Sequence, residues 1–528
     1  MNNRFIILFL LFFSFVAKGQ NEWTALDKYY FSIKCFEQNQ IDLGIDYLQQ
    51  AAQEGLDSAQ YNLGLIYETY EMPDSAFQLM KRASITHDDA LMRLAHYYRV
   101  GFGCTVNTQR SFEIIQQLAN RNHGEALYTM SACYYQGEFV PKSKEQGIIY
   151  WHRSADAGWL DAQIALARNY YLGGEADWGI KQDKAKAYYY ASMAAKQDNP
   201  KGKSFMGDYC AEEGKYDDAV KWWKLASDEG EPYAQYKYAK AILTGNGDSK
   251  DIQQAVSLLQ YAAENNVIDA VQMLGSMYFN GVGVTKDTSK GLKLLEQAAN
   301  NGNVTAQSLL GDYYLKGREV PQDLELGTYW LEKAIEGGDG DAANTLGLLY
   351  TKSDVVKAVK YFQKGHELGF IVSTYNLGRA YYTGEGVTKD YNKAYDLLKK
   401  AADVDFFGAQ SFLARMYATG EGRKIDFSQA VKWAHKTINN EAAKQYESYQ
   451  SEFYTCYSIL DYCYRNGLGV TKSIKKANQY KAQADKFKKY ASSEIDWEKI
   501  ITTFDEQKNQ EWVDEYNKQI TQPLENAE

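Results

Sequence analysis

Apolar residues recur along this chain in short stripes of helical spacing, and the stripes themselves recur. Ala270, Leu274 and Tyr278 fall at i, i+4 and i+8, and Leu292, Leu295 and Ala299 follow at similar spacing. Each half of that segment carries one apolar face and predicts a helix. Gly281 and Gly283, between the halves, supply positive-φ positions that stop the first helix and turn the chain. Small residues at Ala270 and Gly275 let helices approach closely. The same Ala-x-x-x-Leu-Gly/Ala-x-x-Tyr core, with variants, runs through the chain in twelve copies. Its leucine-type position is Leu63, Leu94, Met130, Leu166, Met206, Tyr238, Leu274, Leu310, Leu346, Leu377, Leu413 and Leu460, and six of the eleven intervals are 36 residues. A unit that short cannot bury its apolar face alone and has to stack on its neighbours.

The pattern predicts an all-α chain, a right-handed α-solenoid of about 12 to 13 helix-turn-helix repeats over residues 56–490. Residues 20–55 read as an N-terminal capping hairpin, and residues 491–528 as a C-terminal capping helix and tail in which Trp497, Ile500 and Phe504 close the last repeat. Only six prolines and no strongly alternating strands agree with this. After Leu63, Met206 and Leu346 the interval shrinks because the glycine loop is missing, as at Met72-Pro73-Asp74. It grows through inserts at Glu175 to Trp178 and Asn440 to Ser451, two candidate contact loops.

The segment from Ser373 to Ala402, with Leu377, Gly378, Tyr381, Gly384, Gly386, Val387, Asp390, Lys393, Ala394, Ala401 and Ala402, resembles the Sel-one-like repeat proteins, a branch of the tetratricopeptide-type solenoids. Ala306 to Ala334 and Ala409 to Ala434 resemble the same pattern. The resemblance implies a fold and a mode of action, namely a scaffold that holds a protein or peptide partner on its inner curve. It does not imply a ligand. Some members of the family carry a disulfide in each repeat, and a few exported ones are described as hydrolases of β-lactams.

Met1 to Arg4 is a short positive start, Phe5 to Val16 a near-continuous apolar run, and Ala17-Lys18-Gly19 has the small-x-small form of a cleavage site. Residues 1–19 therefore read as a secretory signal peptide, cleaved near Gly19/Gln20, with a periplasmic or secreted product. The run is shorter than the ~20 residues of a spanning helix, so no integral membrane segment is expected after processing. Signal and resemblance together point to a Gram-negative bacterium. Without Arg4 and Lys18 the chain has 56 basic and 68 acidic residues, a net charge of −12. That balance disfavours nucleic acid, which needs a basic stripe. The six cysteines, Cys35, Cys104, Cys133, Cys210, Cys456 and Cys463, do not recur at one repeat position. They read mostly as small buried apolar residues, with a Cys104–Cys133 bridge between adjacent units as the alternative.

No His-Glu-x-x-His, Gly-x-Ser-x-Gly or Cys-x-x-Cys motif is present, and neither an enzyme activity, a cofactor nor a metal is expected. Gly202-Lys203-Ser204 lacks the first glycine of a phosphate loop, and His87-Asp88-Asp89 does not converge as metal ligands do. Carboxylate pairs such as Glu212-Glu213 read as surface charge. Surface remains. If the alanine, leucine and tyrosine of each core pack inward, positions +2, +6 and +9 from the alanine share another face of the first helix. That face carries Tyr128, Tyr135, Arg168, Tyr171, Tyr236, Phe279, Tyr375, Arg379, Tyr382, Arg415 and Arg465, types enriched in binding hot spots. These are the candidate contacts of a protein or peptide partner, or of a cell-wall glycan, for which rows of exposed aromatics are suited. As packing elements, Gly275 and Gly311 are expected to tolerate valine less well than the exposed loop glycine Gly386.

Overall fold

The computed structural model describes residues 23–173, 178–246, 251–440, 450–491 and 495–521. The segment read as a leader, the heart of both inserts and the last seven residues lie outside them. The described chain is an all-α solenoid of paired helices, most of them thirteen residues long. The pair anticipated around Leu274 is Ile268–Asn280 and Thr288–Asn300. The chain divides into two compact units, residues 1–265 and 266–528, each a stack of such pairs.

The motif letters have local physical causes. Gly101, Gly137, Gly281, Gly317, Gly384 and Gly420 take the left-handed conformation just past the first helix, where a side chain would be strained. The acidic residue closing each loop is an N-cap: Asp183, Asp287, Asp323, Asp354, Asp390 and Asp426 each accept a backbone N–H from the first turn of the second helix. The same residue's own N–H usually returns to the core tyrosine's carbonyl, as in Asp287 to Tyr278 at 2.9 Å and Asp390 to Tyr381 at 3.0 Å. The tyrosine thus fixes the loop through its backbone as well as packing its ring.

Cores form between helices of successive repeats. Ala126, Leu127 and Met130 pack with Ile114, Ile115 and Leu118 of the preceding pair, and Leu377 packs with Val359 and Phe362. A buried polar element recurs beside them. Gln60, Gln163 and Gln307, one residue after the core alanine, donate to Ala52, Ala155 and Ala299 carbonyls at 2.9 to 3.1 Å. Each satisfies a helix-end acceptor that burial would otherwise orphan.

Gly386 is not the open position expected. A Cβ there would lie 2.5 Å from the Val355 carbonyl oxygen, because the loop sits on the first turn of the preceding second helix. At Gly275 the nearest atoms are 3.1 Å away, and at Gly311 the 2.5 Å neighbour is a leucine side chain. The loop glycine is therefore the tighter site, since backbone yields less than a side chain.

At the C-terminus the helix Trp497–Thr521 does more than close the last pair. Trp497 stacks on Tyr462 at 3.9 Å, Ile500 is buried, and Phe504 meets Phe427 at 4.9 Å. Gln507 then accepts the Ile425 N–H at 2.9 Å and donates to its carbonyl at 3.4 Å. The helix straps the loop of an earlier repeat. At the other end Trp23 packs on Phe31 and Tyr47, closing the hairpin of Ala25–Glu37 and Ile41–Gln53.

Candidate functional site

The three candidate positions on the first helices have different surroundings. At +9, Tyr135 stacks on Trp178 at 4.1 Å, Phe279 is 1% exposed and stacks on Tyr313 at 4.1 Å, and Tyr171 donates to Glu212 at 2.6 Å. Tyr382 donates to Glu421. Every one of these partners lies in the following repeat, so the +9 side chains are joints between repeats. At +2, Tyr236 and Tyr375 are buried, Tyr375 against Phe406 at 4.9 Å, and half-buried Tyr128 lies 6.4 Å from Trp151. Phe279, Tyr236 and Tyr375 are thus core rather than exposed contacts. Burial of such a ring within the solenoid removes a large apolar area from water.

Position +6 differs. Arg168 and Arg379 are exposed, and neither pairs with a carboxylate among the described residues. Arg379 lies 5.7 Å from the Tyr375 ring centre, and the Arg415 Nε is 3.8 Å from Glu421. Arg465, at +9, is tied instead to Asp461 of its own helix at 2.5 Å.

Three of the predicted residues converge. Arg379, Tyr382 and Arg415 line one cavity of about 280 Å³ in the second unit, with Phe412, Ser411, Thr383, Ser451, Glu452 and Thr455. Its walls are the first helices Ile371–Thr383, Phe407–Thr419 and Gln450–Asn466. Phe412 meets Tyr382 edge-on at 5.2 Å. Glu421 gathers Tyr382, Thr419 at 2.9 Å and Tyr391 at 3.4 Å. Burial, with that carboxylate beside it, holds the Tyr382 hydroxyl protonated well beyond its usual range. Two guanidinium groups with aromatic rings, hydroxyls and one carboxylate, Glu452, in a single lining suit a polar polypeptide segment.

A second cavity of about 310 Å³ opens on the same helix face in the first unit, lined by Tyr61, Met92, Arg93, His96, Arg99, Glu125 and Trp159 among others. Tyr61 and Met92 stand at +2, His96 at +6 and Arg99 at +9, so the register is the predicted one although these residues were not chosen. A choice by residue type passes over Met92 and His96, but Tyr61 and Arg99 are of the chosen types and were legible at their positions in the sequence. Arg93 is bound to Glu68, which also accepts the Tyr97 hydroxyl at 2.9 Å. Burial raises the Glu125 carboxyl, and burial with the adjacent Arg93 and Arg99 lowers the His96 imidazole.

The weak catalytic resemblances have structural explanations. Lys203 of Gly202-Lys203-Ser204 is buried and ion-paired with Asp198 and Glu229. His87 caps a helix and stacks on Tyr61 at 4.8 Å, while Asp88 pairs with Arg121 and Asp89 with His123. All six cysteines are unpaired, five of them buried, which removes the Cys104–Cys133 bridge. Burial pushes Cys456 and Cys463 up to about 12. Glu212 is more than surface charge: it accepts from Lys184 at 2.8 Å, Tyr171 at 2.6 Å and Tyr188 at 2.8 Å. Among the described residues no helix is long and apolar enough to cross a membrane, and no three His, Cys, Asp or Glu side chains gather as metal ligands would.

The Sel1 repeat family model matches thirteen times, at residues 29–56, 57–69, 88–123, 124–159, 160–199, 202–231, 232–267, 268–303, 304–339, 343–370, 371–405, 408–440 and 452–484. These include 29–56, which covers most of the segment read as a cap. The chain resembles the chitin synthase regulatory factor 3 of Schizosaccharomyces pombe, 29% identical over 180 residues, covering 32% of this chain and 19% of that one. It also resembles an uncharacterized protein of Neisseria meningitidis, 26% identical over 215 residues, covering 40% and 44%. The chain spans about a fifth of the length of the fission-yeast relatives it matches. In fold it is similar to a protective antigen present in uropathogenic Escherichia coli strains and displaying an SLR fold, with a TM-score of 0.57, 23% identity, and coverage of 88% and 97%. The chain belongs to the Sel1 repeat family.

Proposed function

We propose that this Sel1 repeat chain is an exported, non-enzymatic scaffold that binds a protein or peptide partner on the face formed by its first helices. The observation that carries this is the cavity shared by Arg379, Tyr382 and Arg415, where side chains from three successive repeats converge on one space. A repeat fold distributes binding over several units, and arginines beside aromatic rings supply the anchor. The +9 aromatics are engaged by the following repeat and Tyr236 and Tyr375 at +2 are buried, which favours a polypeptide partner over a glycan. A relative named as a regulatory factor is in keeping with a scaffold that acts on other proteins.

The test is capture with the processed chain as bait, read by quantitative mass spectrometry, comparing wild type with Arg379→Ala/Arg415→Ala. A partner should be retained by wild type and depleted at least tenfold with the variant, at unchanged helicity by circular dichroism. An identical set of captured proteins would sink the assignment of this face. N-terminal sequencing of the protein from fractionated cells tests export, with a start near Gln20 expected.

A further inference from the structure

In repeat after repeat the Gly-x-Gly loop covers the first turn of the preceding second helix. Gly103 sits over Pro73 and Phe77, Gly386 over Val355 and Val359, Gly422 over Tyr391, and Gly469 over Phe427. Phe139 of a fifth loop stacks on Phe112 at 5.0 Å. Under these loops Phe77, Phe112, Val359, Tyr395 and Val431 occupy one equivalent helix position, and all are 6 to 8% exposed.

Among the described residues the hairpin Ala25–Glu37 and Ile41–Gln53 has no such cover. The next repeat has lost its loop, and Tyr70-Glu71-Met72 passes directly into the helix Pro73–Ala83. Ile41 and Ile45 stand where Pro73 and Phe77 stand one repeat later. Ile41 is 42% exposed, and Ile45 is not closed over. Together with Ile33, Phe36, Leu65 and Tyr70 they line an apolar cavity of about 450 Å³. Two other repeats also lack the loop, but there the position equivalent to Ile45 is occupied differently. Tyr188 is tied to Glu212 and packed on Tyr209 at 4.1 Å, and at the third junction Leu324 and Leu348 are exposed but polar Thr328 stands in place of Ile45.

We propose that this cavity is an open loop socket that receives a glycine-containing turn of a partner polypeptide, with one aliphatic or aromatic side chain inserted between Ile41, Ile45 and Leu65. The occupant's chemistry is that of the loops that fill the equivalent place within the chain: backbone close against the helix turn, made possible by glycine, with an apolar side chain beside it. This site is separate from the arginine-lined cavity and adds a second, apolar anchor to the scaffold reading.

The probe is a fluorescein-labelled peptide of the chain's own loop, Asn280 to Asp287, titrated into the full processed chain and read by anisotropy. Saturable binding is expected, weakened at least tenfold by Ile45→Asp and absent for a peptide carrying Val282→Ser and Val284→Ser. In a second chain, Tyr70-Glu71-Met72 is replaced by the sequence of Gly384 to Asp390, which supplies the loop in cis. That chain should no longer bind the probe and should melt at a higher temperature. Arg379→Ala/Arg415→Ala should leave probe binding unchanged, which separates this site from the other cavity. No saturable binding up to millimolar peptide, or equal binding by the loop-bearing chain, would overturn the proposal. So would dimerisation of the wild-type chain that Ile45→Asp abolishes and the peptide does not compete with, since the occupant would then be a second copy.

Discussion

The junction at Gly386 and the junction at Glu212 both tie one repeat to the one before it, by opposite means. At Gly386 the loop backbone lies against the Val355 carbonyl with no room for a Cβ. At Glu212 the loop is missing, and a carboxylate instead collects Lys184, Tyr171 and Tyr188 from the preceding repeat. The first is a contact of shape, indifferent to pH and salt. The second is charge-assisted and depends on both. Among the described residues the first hairpin has neither device, and its Ile41 and Ile45 line an open cavity. Loss of a loop thus has three outcomes in one chain: a polar substitute, a mixed surface in which polar Thr328 lies among exposed Leu324 and Leu348, or an uncovered apolar socket.

The largest expected effect comes from breaking the contact of shape. Gly386→Val combines a left-handed φ of +74° with a Cβ forced onto backbone, and should cost about 3–5 kcal/mol. Gly311→Val is the comparison within a helix pair. There the obstruction is the Leu331 side chain, which can rotate, so about 1–3 kcal/mol is expected. Urea denaturation followed by circular dichroism measures both. If Gly311→Val proved the more damaging, the loop would not be the tighter joint.

Much of this architecture is legible in the sequence because it is local. The 3.6 period, the glycine after the first helix and the aspartate before the second are each decided within a few residues, and the repetition of the pattern multiplies the signal. The site was legible only as a register. Positions +2, +6 and +9 do mark one helix face, and Arg379, Tyr382 and Arg415 do meet. Which of them is spent on the next repeat depends on residues some 30 to 40 positions away, such as Glu421 for Tyr382 and Tyr313 for Phe279. No local pattern announces those partners. The buried glutamine after the core alanine was missed for a different reason. It is visible as Ala59-Gln60 and Ala162-Gln163, but a polar side chain beside an apolar stripe reads as the solvent edge until its acceptor is seen.

The polar joint should respond more weakly to mutation. Tyr188→Phe keeps the buried ring and removes one hydrogen bond to Glu212, for a loss of about 1 kcal/mol. Calorimetry of the variant beside wild type measures it. A loss as large as that for Gly386→Val would mean that the hydroxyl, not the ring, holds the repeats together.

The smallest and most specific effect is on pH dependence. Hydrogen bonds from Lys184 and Tyr171, then from Tyr188, lower the Glu212 carboxyl to about 2. A carboxylate whose folded pKa is depressed contributes stability that is fully present above its unfolded value, near 4.5. That contribution is lost as pH falls toward the folded value. Between about pH 4.5 and 2, wild type should therefore lose more stability than Glu212→Gln. The difference should shrink in high salt, because Lys184 and Glu212 are open to solvent and screened. Melting temperatures of the two chains, taken across that window at low and high ionic strength, decide the point. Parallel curves would show that Glu212 is held by shape alone, and that the two junctions differ less than their chemistry implies.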